Sequence, residues 1–278
     1  MEDMTLRNIP FDAMWQRRHR ESTEESRAFW DARADEFNAI TRSDDREERQ
    51  RLIHWLLERG ALRPGFAVLD LGCGAGRYTL EFARMVRHTT GIDISPKMIA
   101  HAQANAAEAG LGNTVFLSVP WEDIDIDARG FRSAFDLVFA SMSPAVCSEE
   151  TLLKFHAASR GRCFLSAFIE RTDMLQKRLA ERLFPGRAWP PHEGSVFYTF
   201  NVLWQHGIYA DVTCVATGWT NTWDIETAFS SYAPLFQNMA PERDTIEEEL
   251  RNCLYEEENA SGLMREVQAK TAWLYWEK

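Results

Sequence analysis

With 278 residues, 45% of them hydrophobic, 26% charged and 12% aromatic, the chain has the make-up of a globular protein, and a disordered chain would carry far fewer aromatic and branched aliphatic side chains. Lysine plus arginine number 31 against 42 aspartate plus glutamate, and the resulting net charge of −11 repels phosphate backbones and argues against a dedicated nucleic-acid binder. No apolar run approaches the ~18 residues of a membrane helix, no basic start followed by an apolar stretch suggests a secretory leader, and Cys73, Cys147, Cys163, Cys214 and Cys253 lie too far apart for a zinc site or disulfide frame, which points to reduced thiols in a cytoplasm.

Along the chain, residues 1–60 read as a helical cap. Phe29, Arg33 and Phe37 fall at i, i+4 and i+8, which predicts one helix over Glu25–Asn38 with an aromatic stripe. A second helix is expected over Asp44–Arg59, with Leu52, Ile53, Leu56 and Leu57 inward, ended by Gly60 and a Pro64-Gly65 turn. From Phe66 the pattern changes. Short apolar runs at Ala67–Leu71, Thr89–Ile94, Thr114–Val119, Phe135–Ala140 and Arg162–Phe168 alternate with helical stretches near Tyr78–Val86, Pro96–Ala109 and Glu149–Ala158. Runs without polar alternation are strands buried on both faces, so a parallel sheet with helices on both sides is expected.

After Phe168 the rhythm breaks. Helices are predicted over Glu170–Phe184 and Val196–His206, the latter with Phe197, Phe200, Leu203 and Trp204 on one face, with a loop over Pro185–Ser195 between them. Ile208–Thr217 alternates like an edge strand, Pro241–Glu258 reads as an acidic helix with a solvated face, and Thr271–Glu277 as a strand. The two late strands are expected to pair antiparallel beside the parallel set. No linker rich in glycine or serine divides the chain.

The segment that carries chemistry is Val68-Leu69-Asp70-Leu71-Gly72-Cys73-Gly74-Ala75-Gly76-Arg77-Tyr78-Thr79, a strand, a glycine turn and a helix start. Such a turn offers free backbone N–H groups to an anion at a helix N-terminus. A dinucleotide fingerprint needs G-x-G-x-x-G/A, and here the third glycine comes one place early with Arg77 in the small-residue slot. A Walker A loop needs a lysine after its glycines, and none follows. Asp70 at the strand end adds a carboxylate for an ammonium, so the pair suits the zwitterionic head of an amino acid. The blander alternatives are a tight turn for the glycines and, for Asp93 ahead of Ser95-Pro96, a helix cap.

This segment resembles the first motif of class I S-adenosylmethionine-dependent methyltransferases, and Gly91-Ile92-Asp93-Ile94-Ser95 resembles the second. The resemblance spans roughly 62–168. It implies a doubly wound, mostly parallel seven-stranded sheet of Rossmann-like type, with S-adenosylmethionine as cofactor. It further implies cofactor contacts from Asp70, Gly72, Cys73, Gly74 and Gly76, a ribose contact from Asp93 beside Ile94, and adenine cover from Met98 in Pro96-Lys97-Met98-Ile99. The third motif departs from the family, with Pro120 where an acid is usual. Trp121 is then either an adenine stacker or a core residue, and Glu122 or Asp123 is left to reach the adenine amino group. Ala34-Asp35-Glu36-Phe37 resembles an N-terminal A-x-x-[YF] setting whose aromatic covers the cofactor, although helix packing is the alternative for Phe37.

Ser141-Met142-Ser143-Pro144, after the fourth strand, falls beside the transferable methyl group, because ligands in doubly wound sheets bind outside the carboxyl ends of the strands. Ser141 is assigned to the cofactor, and Met142, Ser143, Tyr198 and His192 to the acceptor. No catalytic residue and no metal ligand set is assigned. The expected organisation is a cap over 1–60 and a methyltransferase domain over 61–278 with a helical insertion near 170–196. The expected function is methyl transfer to a small-molecule acceptor in the cytoplasm, without nucleic acid or membrane, with a homodimer as a candidate assembly. An RNA or protein methyltransferase and a catalytically silent cofactor-binding subunit are the alternatives.

Overall fold

A computed structural model describes residues 9–17, 22–42, 47–187 and 194–278. The elements run α1 (Phe11–Gln16), α2 (Thr23–Ala32), α3 (Ala34–Arg42), α4 (Glu47–Glu58), β1 (Ala67–Leu71), α5 (Thr79–Ala83), β2 (His88–Asp93), α6 (Pro96–Glu108), β3 (Thr114–Ser118), β4 (Phe135–Ser141) and α7 (Glu149–Ala158). They continue with β5 (Ser159–Asp173), α8 (Met174–Leu183), α9 (Val196–Gln205), β6 (Asp211–Trp223), α10 (Ile225–Met239), α11 (Ile246–Glu257) and β7 (Leu263–Glu277).

The seven strands form one sheet in the order β3-β2-β1-β4-β5-β7-β6, with β7 antiparallel. All five residues of β1 are buried, as its unbroken apolar run requires for a central strand covered on both faces. Its register is parallel on both sides, with Val68 opposite Thr89 of β2 and Leu137 of β4. The chain leaves β1 toward β2 and later returns to β1's other edge as β4. That reversal opens a crevice at the carboxyl ends of β1 and β4, where ligands of such sheets bind.

By contacts the chain falls into two compact units. The first comprises the described parts of Met1–Ala167 with Ser195–Thr213 and Ala272–Lys278. Its core is aromatic: Phe139 stacks on Phe164 at 4.9 Å and meets Phe82 edge-on at 4.9 Å, while Trp55 of α4 packs against Trp273 at 5.3 Å and Tyr275 at 5.7 Å. The second comprises the described parts of Phe168–Gly194 and Cys214–Thr271. Here α8, α10 and α11 share a separate core around Leu179, Phe236, Leu250 and Leu254. Within it Leu263, Arg265, Val267 and Ala269 of β7 point inward, and the alternate residues Met264, Glu266, Gln268 and Lys270 face solvent. Arg265 donates to Asp173 at 2.6 Å, Tyr232 donates to the same carboxylate oxygen at 2.9 Å, and the other oxygen caps α8 at the Gln176 amide.

Several expectations need correction. The helix over Glu25–Asn38 is two helices that break at Arg33, whose backbone leaves the helical region. Leu57 is exposed, on the outer face of α4. Glu170–Asp173 continue β5, so the helix expected over Glu170–Phe184 begins at Met174, capped by Asp173. Phe197 and Trp204 of α9 are exposed, and its buried face is Val196, Thr199, Val202 and Leu203. α10 lies where no element was expected. By contacts, 214–271 group with 168–194, the region of the expected insertion. Residues 44–46 and most of the Pro185–Ser195 loop lie outside the described residues.

Candidate functional site

The glycine turn is fixed by local bonding. The amides of Gly72 and Cys73 both donate to the Ile92 carbonyl of β2, at 2.8 and 3.1 Å, and the Gly76 amide donates to Cys73 at 3.0 Å. Gly72, Gly74 and Gly76 all sit in the left-handed region, with φ of 68°, 54° and 91°. Gly72 is also a close approach: a Cβ there would fall 2.0 Å from Ser143 Oγ and 2.6 Å from its Cβ. The loop after β4 therefore rests directly on the turn after β1, at the switch point of the sheet.

Two carboxylates flank the turn. Asp70 ends β1 fully buried and accepts from Thr79 Oγ1 at 2.6 Å, and its burial, reinforced by Asp93, pushes its carboxyl up to about 7. Asp93 ends β2, with one oxygen accepting from the Gly74 amide and the other from the Ser95 amide, each at 2.9 Å. Burial raises its proton affinity, and the Asp31 carboxylate adds to that against the opposing pull of the Ser95 and Gly74 amides. Each Asp93 oxygen accepts one N–H in these bonds and keeps a lone pair for a further donor. Ser95 caps α6 through the Met98 amide at 3.0 Å.

The remaining expected residues divide. Ile94 is half-buried beside Asp93, and Met98 is buried with its sulfur 3.9 Å from where a Gly74 Cβ would lie. The Cys73 side chain turns toward Gly91 of β2, and burial pushes its thiol up, so it packs and does not react. Ser141 Oγ lies 2.9 Å from Ser166 Oγ, and burial raises the proton affinity of the Tyr78 hydroxyl. Met142 is exposed and takes a left-handed φ of 53°, held by its amide on the Ser166 carbonyl at 2.9 Å. A non-glycine residue held there is strained. Ser143 accepts the Ala145 amide at 3.2 Å. Phe37 lies against Trp30 at 5.6 Å, with the Arg33 guanidinium 5.6 Å from its ring.

Four expected residues remain. Trp121 is 2% exposed, and its indole N–H donates to the Thr151 carbonyl at 3.1 Å. Its burial and this bond accord with the core reading of the two that the sequence offered. Glu122 is exposed in the same 3-10 turn, whose carbonyls of Trp121, Glu122 and Ile124 are gathered by Lys154 Nζ at 3.1, 2.9 and 3.2 Å. Tyr198 stacks on Trp15 of α1 at 6.3 Å. His192 lies outside the described residues.

The structure also brings in residues that the sequence reading left out. Thr79 reaches Asp70 across the turn. Asn105 of α6 donates to the Ala75 carbonyl at 3.0 Å and to Asn38 of α3 at 2.8 Å. Asp31 of α2 accepts from Ser95 Oγ and from the Lys97 amide. Thr79 is signalled by its place at the helix start; Asn105 and Asp31 act over long sequence distances and leave no local signal.

Residues 62–180 match a family described as "Methyltransferase domain". Among curated proteins, a stretch of 90 residues is 39% identical to 23S rRNA (uracil(1939)-C(5))-methyltransferase RlmD of Klebsiella pneumoniae, covering 32% of this chain and 20% of that protein. The chain thus spans about a fifth of the length of the curated relatives it matches first. Among solved structures it is similar to magnesium protoporphyrin IX methyltransferase of Synechocystis PCC 6803 with bound SAH, at TM-score 0.54 and 16% identity over 91% of this chain and 99% of that one. YcgJ of Bacillus subtilis matches at TM-score 0.52 and 14% identity, over 82% and 98% of the two chains. The [4+2]-cyclase SpnF matches at TM-score 0.50 and 16% identity, over 90% and 96%. At these identities the structural likeness is one of fold.

Proposed function

The chain carries a class I S-adenosylmethionine-dependent methyltransferase domain over residues 62–180, and from that premise we propose that it transfers a methyl group from S-adenosylmethionine to a small-molecule acceptor. The observation that carries this reading is the pair of carboxylates on either side of one glycine turn, Asp70 held by Thr79 and Asp93 held by the Gly74 amide. That donor and acceptor set fits a zwitterion next to a diol. Asp70 takes the ammonium, turn amides other than those of Gly72, Cys73, Gly74 and Gly76, which already donate, take the carboxylate, and the free lone pairs of Asp93 take the ribose hydroxyls. Ile94 and Met98 cover the adenine, Glu122 is assigned to its amino group, and Phe37 is assigned to the cap. When bound, the cofactor supplies a methyl group on a sulfonium, which is already electrophilic. The chain's task is to align the acceptor and exclude water; Ser141 is assigned to the cofactor, and Met142 and Ser143 to the acceptor side. A cytoplasmic setting is supported by five free cysteines.

Cofactor affinity should depend on pH through Asp70. Its carboxyl titrates near 7 in the folded chain. Below that pH, binding an ammonium must first expel the proton, so affinity falls by up to about tenfold per pH unit. Above it the curve levels until the cofactor's own amino group loses its proton near ~8. Calorimetry between pH 5.5 and 8.5 should show this acid limb, and Asp70→Asn should lack it. For the empty protein the sign is opposite: a carboxyl that holds its proton more tightly when folded contributes stability below its ordinary range, and this is lost as pH rises to 7.

The acceptor class is tested by presenting methyl-labelled S-adenosylmethionine with small amines, thiols and alcohols, and in parallel with 23S rRNA. The account expects label on a small molecule. An RNA acceptor is the second reading, favoured by the partial likeness to the rRNA methyltransferases and opposed by the net charge of −11. Label on the RNA alone would establish it. Label on neither, with cofactor binding intact, would favour a silent binding subunit.

A further inference from the structure

The N-terminal helices meet α6 almost without apolar burial. α2 has no buried residue, and α3 buries only Ala34. A polar ladder joins them instead. Asp31 accepts from Ser95 Oγ and, at 3.3 Å, from the Lys97 amide. Asp35 meets His101 at 2.8 Å, Asn38 accepts from Asn105 at 2.8 Å, and Arg42 reaches Asn105 at 3.0 Å and Glu108 at 2.6 and 3.0 Å. Asp35, Asn38 and Arg42 advance by three and four and so form one face of α3, and Asp31 near the end of α2 precedes the break at Arg33. Residues 97, 101, 105 and 108 form one face of α6. The two rows match rung for rung.

Two rungs of the ladder rest on the cofactor frame. At one end, Ser95 holds Asp93 through its amide, accepts the Met98 amide with its hydroxyl oxygen, and turns its O–H to Asp31. Asp31 thereby fixes the direction of that hydroxyl, so it does not occupy the Asp93 lone pairs. Further along, Asn105 binds Asn38 and the Ala75 carbonyl of the glycine turn with one amide group.

We infer that α2 and α3 form a polar-latched cover whose seating on α6 sets the geometry of Asp93 and of the glycine turn, with Asp31 as the positioning residue at the latch. The inference rests on the cofactor assignment above and extends it to a residue outside both sequence motifs. The rungs at Lys97, His101 and Glu108 are exposed and weak, because each replaces a bond to solvent, and those at Ser95 and Asn105 are only part-buried. The cover therefore opens readily in the empty protein, and a ligand that needs Asp93 in its latched geometry shifts it closed. By linkage, whatever loosens the cover weakens the ligand by the same factor.

The test uses the full chain with S-adenosylhomocysteine, Asp31→Ala and Asp31→Asn. In the parent protein, saturating ligand should slow amide hydrogen exchange over 23–42. Asp31→Ala should weaken binding about tenfold and abolish the slowing. Asp31→Asn keeps an acceptor oxygen for Ser95 and Lys97 and should retain affinity within about twofold, a rescue that a bulk structural role of the carboxylate charge would not give. Parent affinity in Asp31→Ala, or exchange over 23–42 that ignores the ligand in the parent, would overturn the inference. Failure of the parent itself to bind would overturn the cofactor assignment, and the inference with it.

Discussion

Gly72→Ala should cost about 2–5 kcal/mol of stability and reduce S-adenosylhomocysteine affinity by about a hundredfold or more. Two independent penalties meet at this position. The backbone at φ 68° is left-handed, which costs an L-residue about 1–2 kcal/mol. The added methyl would also fall 2.0 Å from Ser143 Oγ and 2.6 Å from its Cβ, so the loop after β4 has to lift away from the turn. That lift moves Met142 and opens the switch-point crevice on the acceptor side. A double variant separates the two effects. Ser143→Gly in the Gly72→Ala background removes the clash and leaves the φ penalty, so a coupling of about 1–3 kcal/mol is expected in a melting cycle. A Gly72→Ala protein with parent stability and affinity would show that the two loops do not touch.

Asp173→Ala should destabilise the second compact unit by about 3–5 kcal/mol, because it strands a buried guanidinium. Asp173 and Arg265 are 8% and 7% exposed, so water cannot replace the lost partner. The same substitution removes the acceptor for Tyr232 and the cap of α8. Asp173→Asn keeps one acceptor oxygen, for the α8 cap or for Tyr232 but not for both, and loses the charge, so it should fall between parent and alanine. Amide hydrogen exchange over 174–183 and 225–271 during denaturant unfolding reports this unit. A buried ion pair adds little net stability over a well-packed apolar replacement; what costs is the removal of one partner alone.

The legible parts of the molecule were the local ones. The strand, turn and helix start over Val68–Thr79 bond within themselves and to the next strand, so their local pattern is readable, and Gly91–Ser95 was added by the family resemblance. The run that became α10 was hidden by Pro234 inside the helix and by two adjacent serines, which read as breakers. Glu170–Asp173 looked like the charged first turn of a helix, yet Asp173 is the cap and the residues before it extend β5. The side chain of Trp121 was undecidable from sequence because the partner that settles it, the Thr151 carbonyl, lies 30 residues away. Asp31 and Asn105 were invisible for the same reason. The single helix expected over Glu25–Asn38 matched the aromatic period, but nothing in that period reports the break at Arg33.

The most direct measurement is a calorimetric titration of the full chain with S-adenosylhomocysteine, NAD and ATP, repeated with Asp93→Ala. The turn lacks both the dinucleotide spacing and the Walker lysine, so NAD and ATP should give no heat. S-adenosylhomocysteine should bind, and Asp93→Ala should weaken it by about 2–4 kcal/mol, the loss of charge-assisted bonds to two ribose hydroxyls. Binding of NAD or ATP in its place, or an affinity untouched by Asp93→Ala, would contradict the account.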